Sequence, residues 1–193
     1  MHHIYHTEGI ILSSKNFGEA GKCYFIFTRD LGMVMASAQG VRKMSSKLRF
    51  ILQDFAYLKI DLVQGKDIWR VTSASKTNKL ESLLENKDKL GIFANISRLL
   101  RRLLAGEDPN ELLFKDFLSG LHLLEKSETK EELHSVEVIM VLRILNNLGY
   151  IGGLDVLNNF VKSPLEQELM FEVAKSRAHI LREINRALKE THL

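Results

Sequence analysis

The spacing of apolar residues changes period near residue 76, and that change commits the chain to two kinds of structure in a fixed order. Before it lie five short runs, "GIILSS", "CYFIFT", "MVMASA", "FAYLKIDLV" and "IWRVTS", rich in Ile, Val, Phe and Tyr and spaced by "NFGEAG", "RDLG" and "QGKD". Runs of that length between turn-forming residues predict β-strands. In "FAYLKIDLV" Phe55, Tyr57, Lys59, Asp61 and Val63 share one face of an extended chain, and Ala56, Leu58, Ile60 and Leu62 share the other. One face is wholly apolar and the other mixed, which suits a strand with one side in a core and one in water.

After residue 76 the period becomes helical. "LGIFANISRLLRRLLAG" sets Ile92, Ile96, Leu99, Leu100 and Leu103 three and four residues apart and stops at Gly106. "DPNELLFKDFLSGLHLLEK" follows, with Asp108 or Asn110 near its start and Pro109 suited to a first turn, and "ELHSVEVIMVLRILNNLGY" is a more apolar helix closed by Gly149. The last stretch, "SPLEQELMFEVAKSRAHILREINRALKETHL", offers Ser163 as N-cap, Pro164 at the first position and Glu166 to complete a capping box, and predicts one long or broken helix. The expected architecture is α+β and multidomain. Residues 1–76 form a five-stranded Greek-key barrel of the OB type, with an SH3-like barrel as the alternative, and residues 77–193 form a helical domain, closely joined through "SASKTNKLESLLENKDKL".

Charge follows the same division. Residues 1–76 hold 11 Lys and Arg against 6 Asp and Glu, a net of +5, while residues 77–193 hold 16 against 18, a net of −2. Within the basic part, "AQGVRKMSSKLR" (38–49) gathers Arg42, Lys43, Lys47 and Arg49 with no acid among them. Such a cluster is either a solvated loop or a grip on a phosphate backbone. Single-strand binding by a barrel of this type needs cations along the backbone and aromatic faces for the bases. Lys15, Arg29, Arg42, Lys43, Lys47, Arg49 and Arg70 are the candidate groove cations, and Phe17, Tyr24, Tyr57 and Trp69 the candidate platforms. The competing reading puts the aromatics in the core, since Tyr24 and Ile26 alternate with Phe25 and Phe27, and leaves Arg29 in a solvated turn paired with Asp30.

Other chemistries find little support. The single cysteine, Cys23, lies in an apolar run and suits a buried thiol in a reducing compartment; it excludes an internal disulfide framework and zinc sites built on paired cysteines. There is no GxxxxGK[ST] loop and no nucleophile elbow. Glu131 and Glu132 are neighbours that point to different sides of a helix, which reads as a solvated helix start rather than a metal site. His2, His3 and His6 read as frayed terminal residues, and His122, His134 and His179 stand without a companion cysteine or spaced acid. No apolar run has the length of a membrane span and the N-terminus lacks the pattern of a secretory signal, so the expected location is the cytoplasm.

The order "TEGIILSSKNFGEAGKCYFIFTRDLGMVMASAQGVRKMSSKLR", then "LQDFAYLKIDLVQGKDIWRVTSAS", then "FKDFLSGLHLL" and "LRILNNLGYIGGLD" resembles the RecO family of bacterial recombination mediators, over residues 5–76 and again over 110–155. The resemblance implies an OB-fold followed by a helical domain that binds single- and double-stranded DNA and anneals complementary strands. It implies work alongside single-stranded DNA-binding protein and RecR to load the RecA recombinase, without a nucleotide or metal cofactor and without catalysis. It makes the stretch from Gly40 to Arg49 the phosphate-gripping loop. Many relatives carry a four-cysteine zinc site after the "LGY" helix; the region after "LGYIGGLD" has no cysteine, so this chain resembles a short form without that element. An alternative function is a protein–protein adaptor acting through the helices, in which Arg101 and Arg102 beside a leucine-rich stripe receive an acidic, apolar-ended peptide such as the tail of single-stranded DNA-binding protein. The missing cysteine set yields a direct expectation: elemental analysis of the purified chain should find far less than one zinc per molecule, and a stoichiometric zinc would refute this reading.

Overall fold

A computed structural model describes residues 3–77, 79–104, 106–152 and 157–190. Its first part is a closed barrel of five strands, β1 (Ile4–Phe17), β2 (Gly21–Thr28), β3 (Gly32–Ala38), β4 (Tyr57–Val63) and β5 (Trp69–Lys76), in the order β1-β2-β3-β5-β4 and back to β1. Every neighbouring pair is antiparallel except β3 and β5, which run parallel through Ala36 beside Trp69 and Ser37 beside Arg70. That order, with one parallel pair closing the ring, is the OB-type Greek-key barrel expected from the sequence.

Closure depends on β1, whose 14 residues serve two partners. Its first half pairs with β4, from Ile4 beside Val63 to Ile10 beside Tyr57, and its second half with β2, from Gly9 beside Thr28 to Phe17 beside Gly21. The register slips between Ile11 and Ser13, a bulge that bends the strand from one neighbour to the other. Ile11 bonds instead to the segment before β4: Phe55 donates to its carbonyl at 2.7 Å, and its own N–H donates to Ala56 at 3.1 Å. Phe55 takes a positive φ of 68° there, so β4 starts at Tyr57 rather than at Phe55 as the alternation suggested.

The apolar face read from "FAYLKIDLV" is the inner one: Leu58, Ile60 and Leu62 are buried with Ile11, Tyr24, Ile26, Val34, Ala36, Trp69 and Val71. The outer face of β2 is not bare either, since Cys23 and Phe27 are also buried, and burial pushes the Cys23 thiol above its ordinary pKa. Gly32, which opens β3 directly after the turn from β2, has φ +71°, and a Cβ there would collide with the backbone of Asp108. Met33 donates to the Gly106 carbonyl at 3.1 Å, so residues 106–108 are stitched to this turn.

The helices are α1 (Glu81–Glu85), α2 (Lys87–Leu103), α3 (Glu111–Lys126), α4 (Lys130–Asn147), α5 (Asn158–Lys162) and α6 (Gln167–Glu190). The chain forms two compact units, Met1–Glu85 with Ser97–Glu111, and Asn86–Ile96 with Leu112–Leu193, so the first unit includes the second half of α2. In the second, α4 packs on α6 and is buried nearly all round, by Leu133, Val136, Ile139, Met140, Leu142, Ile144 and Leu145. It begins with a capping box: Thr129 accepts from the Glu132 N–H at 3.2 Å, and the Glu132 carboxylate accepts from the Thr129 N–H at 3.1 Å. The Glu128 N–H, which donates to the same carboxylate at 2.9 Å, and then that of Thr129 hold the Glu132 carboxyl below its usual range. Its end is a Schellman turn on Gly149, with the Tyr150 N–H reaching the Leu145 carbonyl at 2.8 Å.

Two further features differ from the sequence-based expectation. Ser163 does not cap the last helix, because it ends α5 and its hydroxyl bonds Asn159 Oδ1 at 2.7 Å; α6 starts at Gln167. The buried charge Arg143 also gave no signal in its apolar run. Its Nε donates to the Phe160 carbonyl at 3.1 Å, its Nη2 to the Ser163 carbonyl, and its Nη1 lies 3.4 Å from Asp116 Oδ1.

Replacing Gly32 by Ala should destabilise the chain by about 1–3 kcal/mol, since the side chain meets both an unfavourable backbone conformation and the Asp108 main chain. Denaturant unfolding checks this, and a change under about 0.5 kcal/mol would contradict the stitched turn.

Candidate nucleic-acid interface

The loop from β3 to β4 carries the cationic stretch and is ordered by its own apolar residues. Val41 and Leu52 are buried in the barrel core, and Leu48 and Ile51 pack partly against it, so the segment closes that end of the barrel like a stopper. Between these anchors the chain turns through Gly40, with φ +67°, and a short 3-10 turn at Lys47–Phe50. Successive N–H groups of Lys43, Ser46 and Arg49 donate to the carbonyls of Gly40, Lys43 and Ser46 at 3.0, 3.1 and 3.2 Å. The cations occupy positions between the anchors: Arg42, Lys43 and Lys47 are exposed and Arg49 half-buried. Arg42 also pins the loop to the β1–β2 turn, its backbone N–H bonding Ala20 O at 2.9 Å and its Nη1 Glu19 O at 3.1 Å. No acid occurs between Asp30 and Asp54, so the stretch that holds the four cations has no carboxylate within it, and the loop's one acid, Asp54, follows the last anchor, Leu52.

The other candidate cations fall into different places. Arg70 is exposed at the start of β5, beside Ser37 near the point where the loop leaves β3, and so belongs to the same end of the barrel. Lys15 is exposed on the second half of β1, its Nζ 5.6 Å from the Phe25 ring centroid. Arg101, read from the sequence as a partner-binding residue of the helices, lies in the barrel-containing unit with its guanidinium 4.2 Å from the same Phe25 ring. A cation at that distance from a ring face is held by its quadrupole. Arg102 beside it is exposed.

Arg29 has a structural partner, and it is not Asp30. The β1–β2 register brings Glu8 opposite, where it forms an ion pair with Arg29 Nη2 and accepts the Tyr57 hydroxyl at 2.6 Å. Asp30 instead accepts from the Thr7 hydroxyl at 2.6 Å. Burial, then the bond to Glu8, pushes the Tyr57 phenol up to about 12. Arg29 follows the last residue of β2 and Lys22 is near its first; at about 3.3 Å per residue, the seven steps between them put them roughly 23 Å apart, at opposite ends of the barrel.

Of the four aromatic platforms, Tyr24, Tyr57 and Trp69 are buried, and the Trp69 indole N–H is committed to Glu107 Oε1 at 2.7 Å. Phe17 is half exposed. The sequence reading passed over Phe50, which is 68% exposed on the cationic loop with its ring centroid 5.9 Å from the Arg49 guanidinium. It also passed over Lys22, which pairs with Ala38 just before the loop; only the β2–β3 register reveals that proximity. Lys22, Tyr24, Val41, Arg42, Arg49, Leu52 and Gln53 together line a pocket of about 420 Å³.

An OB-type barrel with an outward cationic loop and an exposed aromatic, followed by a helical unit, has the build of a nucleic-acid-binding module with an appended helical domain. Two family models match the chain, "Recombination protein O N terminal" over residues 1–79 and "Recombination protein O C terminal" over residues 84–156. The chain belongs to the RecO family. It is 29% identical to the DNA repair protein RecO of Rubrobacter xylanophilus over 79% of this chain and 60% of that protein. It is 31% identical to that of Heliobacterium modesticaldum over 79% and 54%, and 28% identical to that of Acetivibrio thermocellus over 75% and 57%. The chain thus spans somewhat more than half the length of these curated relatives. Among the described residues no helix is long and apolar enough to cross a membrane.

The contrast between clasped and outward cations is measurable. Arg29→Ala should lower stability by about 1–3 kcal/mol, because it strips the charged partner from Glu8, whereas Lys43→Ala should stay within about 0.5 kcal/mol of the parent. Equal effects in denaturant unfolding would contradict the assignment.

Proposed function

We propose that this chain is a non-catalytic DNA-binding protein of recombinational repair, which grips single- and double-stranded DNA at the loop-bearing end of the barrel. The observation that carries the reading is the loop itself: apolar side chains hold it to the core, and Arg42, Lys43, Lys47 and Arg49 are left free of neighbouring acids. Cations fixed in this way track a phosphate backbone without reading bases, which suits promotion of strand annealing between any complementary sequences. Arg70 and Lys15 extend the positive surface from the same end of the barrel, and Phe50 supplies an exposed ring for a base. Arg29 is left out of the binding set, since its partner is Glu8.

Membership of the RecO family extends the proposal to partners. The chain would act with single-stranded DNA-binding protein and RecR in loading the RecA recombinase, in the cytoplasm and without a bound cofactor. Arg101 and Arg102 stay candidates for the acidic tail of single-stranded DNA-binding protein, with Arg101 reached from the side of Phe25.

If loop and neighbouring cations neutralise about five phosphates, single-strand affinity should fall with a log–log salt slope near −3.5, roughly 100-fold between 50 and 200 mM salt. Changing Arg42, Lys43, Lys47 and Arg49 together to Glu should abolish binding and annealing with little change in thermal midpoint, because surface charges contribute little to stability. A folded four-glutamate variant that keeps DNA affinity within a few-fold of the parent would remove the loop from the site and favour the adaptor function.

A further inference from the structure

The helical part of the chain is acidic except along one stretch of its last helix. Residues 174–189 hold five Lys and Arg against one Glu, whereas the rest of 77–193 holds 11 against 17. α6 buries Leu169, Val173, Ile180, Ile184 and Ala187 on one side, and it packs on α4. On its other side Lys175, Arg182 and Lys189 are exposed, each seven residues from the next. At 3.6 residues per turn that spacing keeps all three on one face, in steps of about 10.5 Å. Arg186 is exposed as well but already matched, its Nη2 lying 2.6 Å from Oε2 of the buried Glu183. No carboxylate among the described residues pairs with Lys175, Arg182 or Lys189, so this stripe keeps its field for an outside anion.

We propose that this face of α6 is a second DNA site, where Lys175, Arg182 and Lys189 take backbone phosphates of duplex DNA and add to the contact made by the loop. The inference rests on the DNA-binding reading given above, and it goes beyond the loop because α6 lies in the other compact unit. The character of the face selects the occupant. A second copy of the chain, paired through the same face, would set these cations against one another. A protein segment would need apolar surface to bury, and beside the stripe only Ala178 and Leu181 are exposed, Leu181 at 39%. A single strand would need aromatic platforms for its bases. No Phe, Tyr or Trp follows Phe171 in the helix, and Phe171 itself sits where Glu168 and Glu172 turn the charge negative. A duplex asks for none of these. It offers a stiff row of phosphates with its bases stacked inside, which suits evenly spaced cations on a straight helix.

The test uses the full chain, with a short blunt duplex and one of its strands titrated separately under an anisotropy readout. Lys175→Gln, Arg182→Gln and Lys189→Gln together remove three charges while keeping helix propensity and the buried face of α6. They should weaken duplex binding at least about tenfold and flatten its log–log salt slope by about 2.7, three contacts at about 0.9 each, with single-strand affinity within about threefold of the parent. The same charge change placed elsewhere in the helical unit, at the exposed Lys87, Lys126 and Lys162 as Lys87→Gln, Lys126→Gln and Lys162→Gln, should leave duplex affinity within about twofold. Lysine acetylation of the parent, read by mass spectrometry, needs no variant: duplex should protect Lys175 and Lys189 and leave Lys126 and Lys162 reactive. Duplex affinity unchanged in the α6 triple, or no protection of its lysines, overturns the site and leaves the loop reading standing. Equal loss in the two triples overturns it in favour of net charge alone, and equal loss for duplex and single strand overturns its assignment to duplex. Polyglutamate binding that the α6 triple abolishes while duplex binding persists overturns it in favour of an acidic protein partner. A parent that binds no DNA overturns this site and the DNA-binding reading together.

Discussion

The barrel is held closed by one strand that has two jobs. β1 must pair with β4 along its first half and with β2 along its second, and the slip between Ile11 and Ser13 is what lets a single strand turn from one to the other. At that slip the ladder would leave backbone groups unmatched, and Ile11 takes its hydrogen bonds from Phe55 and Ala56 instead. Those residues are the end of the cationic loop. The closure of the barrel and the placement of the loop are therefore one event: the strand that bends also fixes where the β3–β4 connection lands.

The same economy applies inside the loop. A segment with four cations and no acid has no reason to stay near a protein by electrostatics alone, since like charges repel and each is better hydrated when free. Val41, Leu48, Ile51 and Leu52 reverse that preference by burying apolar surface at the barrel end, about 25 cal/mol for each Å² removed from water. The charges are then held where the anchors put them. Conformational entropy that a flexible basic loop would lose on meeting a polyanion has already been lost on folding, which would favour the proposed DNA binding without any added contact.

Much of this was legible in the sequence. The strands announce themselves because their inner residues alternate, as Leu58, Ile60 and Leu62 do, and α2 does because Ile92, Ile96, Leu100 and Leu103 recur at helical spacing. What escaped was whatever depends on residues distant in the chain. Arg29 next to Asp30 suggests a local pair, yet register joins it to Glu8, 21 residues away. Ser163, Pro164 and Glu166 make a convincing local start signal, but the Ser163 carbonyl is taken by Arg143 from another helix and its hydroxyl by Asn159, so α6 begins later. Tyr24, Tyr57 and Trp69 look alike as strand aromatics, and only closure of the barrel shows that all three face protein.

Arg29 and Arg143 show how the chain separates structural charge from charge available to a ligand. Each has its positive group matched across the fold: Arg29 by Glu8, which also receives Tyr57, and Arg143 by Asp116 and two carbonyls in the helical unit. Removing one side of such a set leaves the other desolvated without compensation, so these residues are held in place by the cost of losing them. Arg42 is fixed differently. Its Nη1 donates to a carbonyl oxygen, Glu19 O, which orients the guanidinium while neutralising none of its charge. A cation positioned by dipoles keeps its field for an incoming anion, whereas one positioned by a carboxylate has spent it. By that criterion, the partner's charge rather than exposure or basicity favours Arg42 over Arg29 in the proposed binding set, and the partner of Arg29 is set by the strand register that β1 imposes.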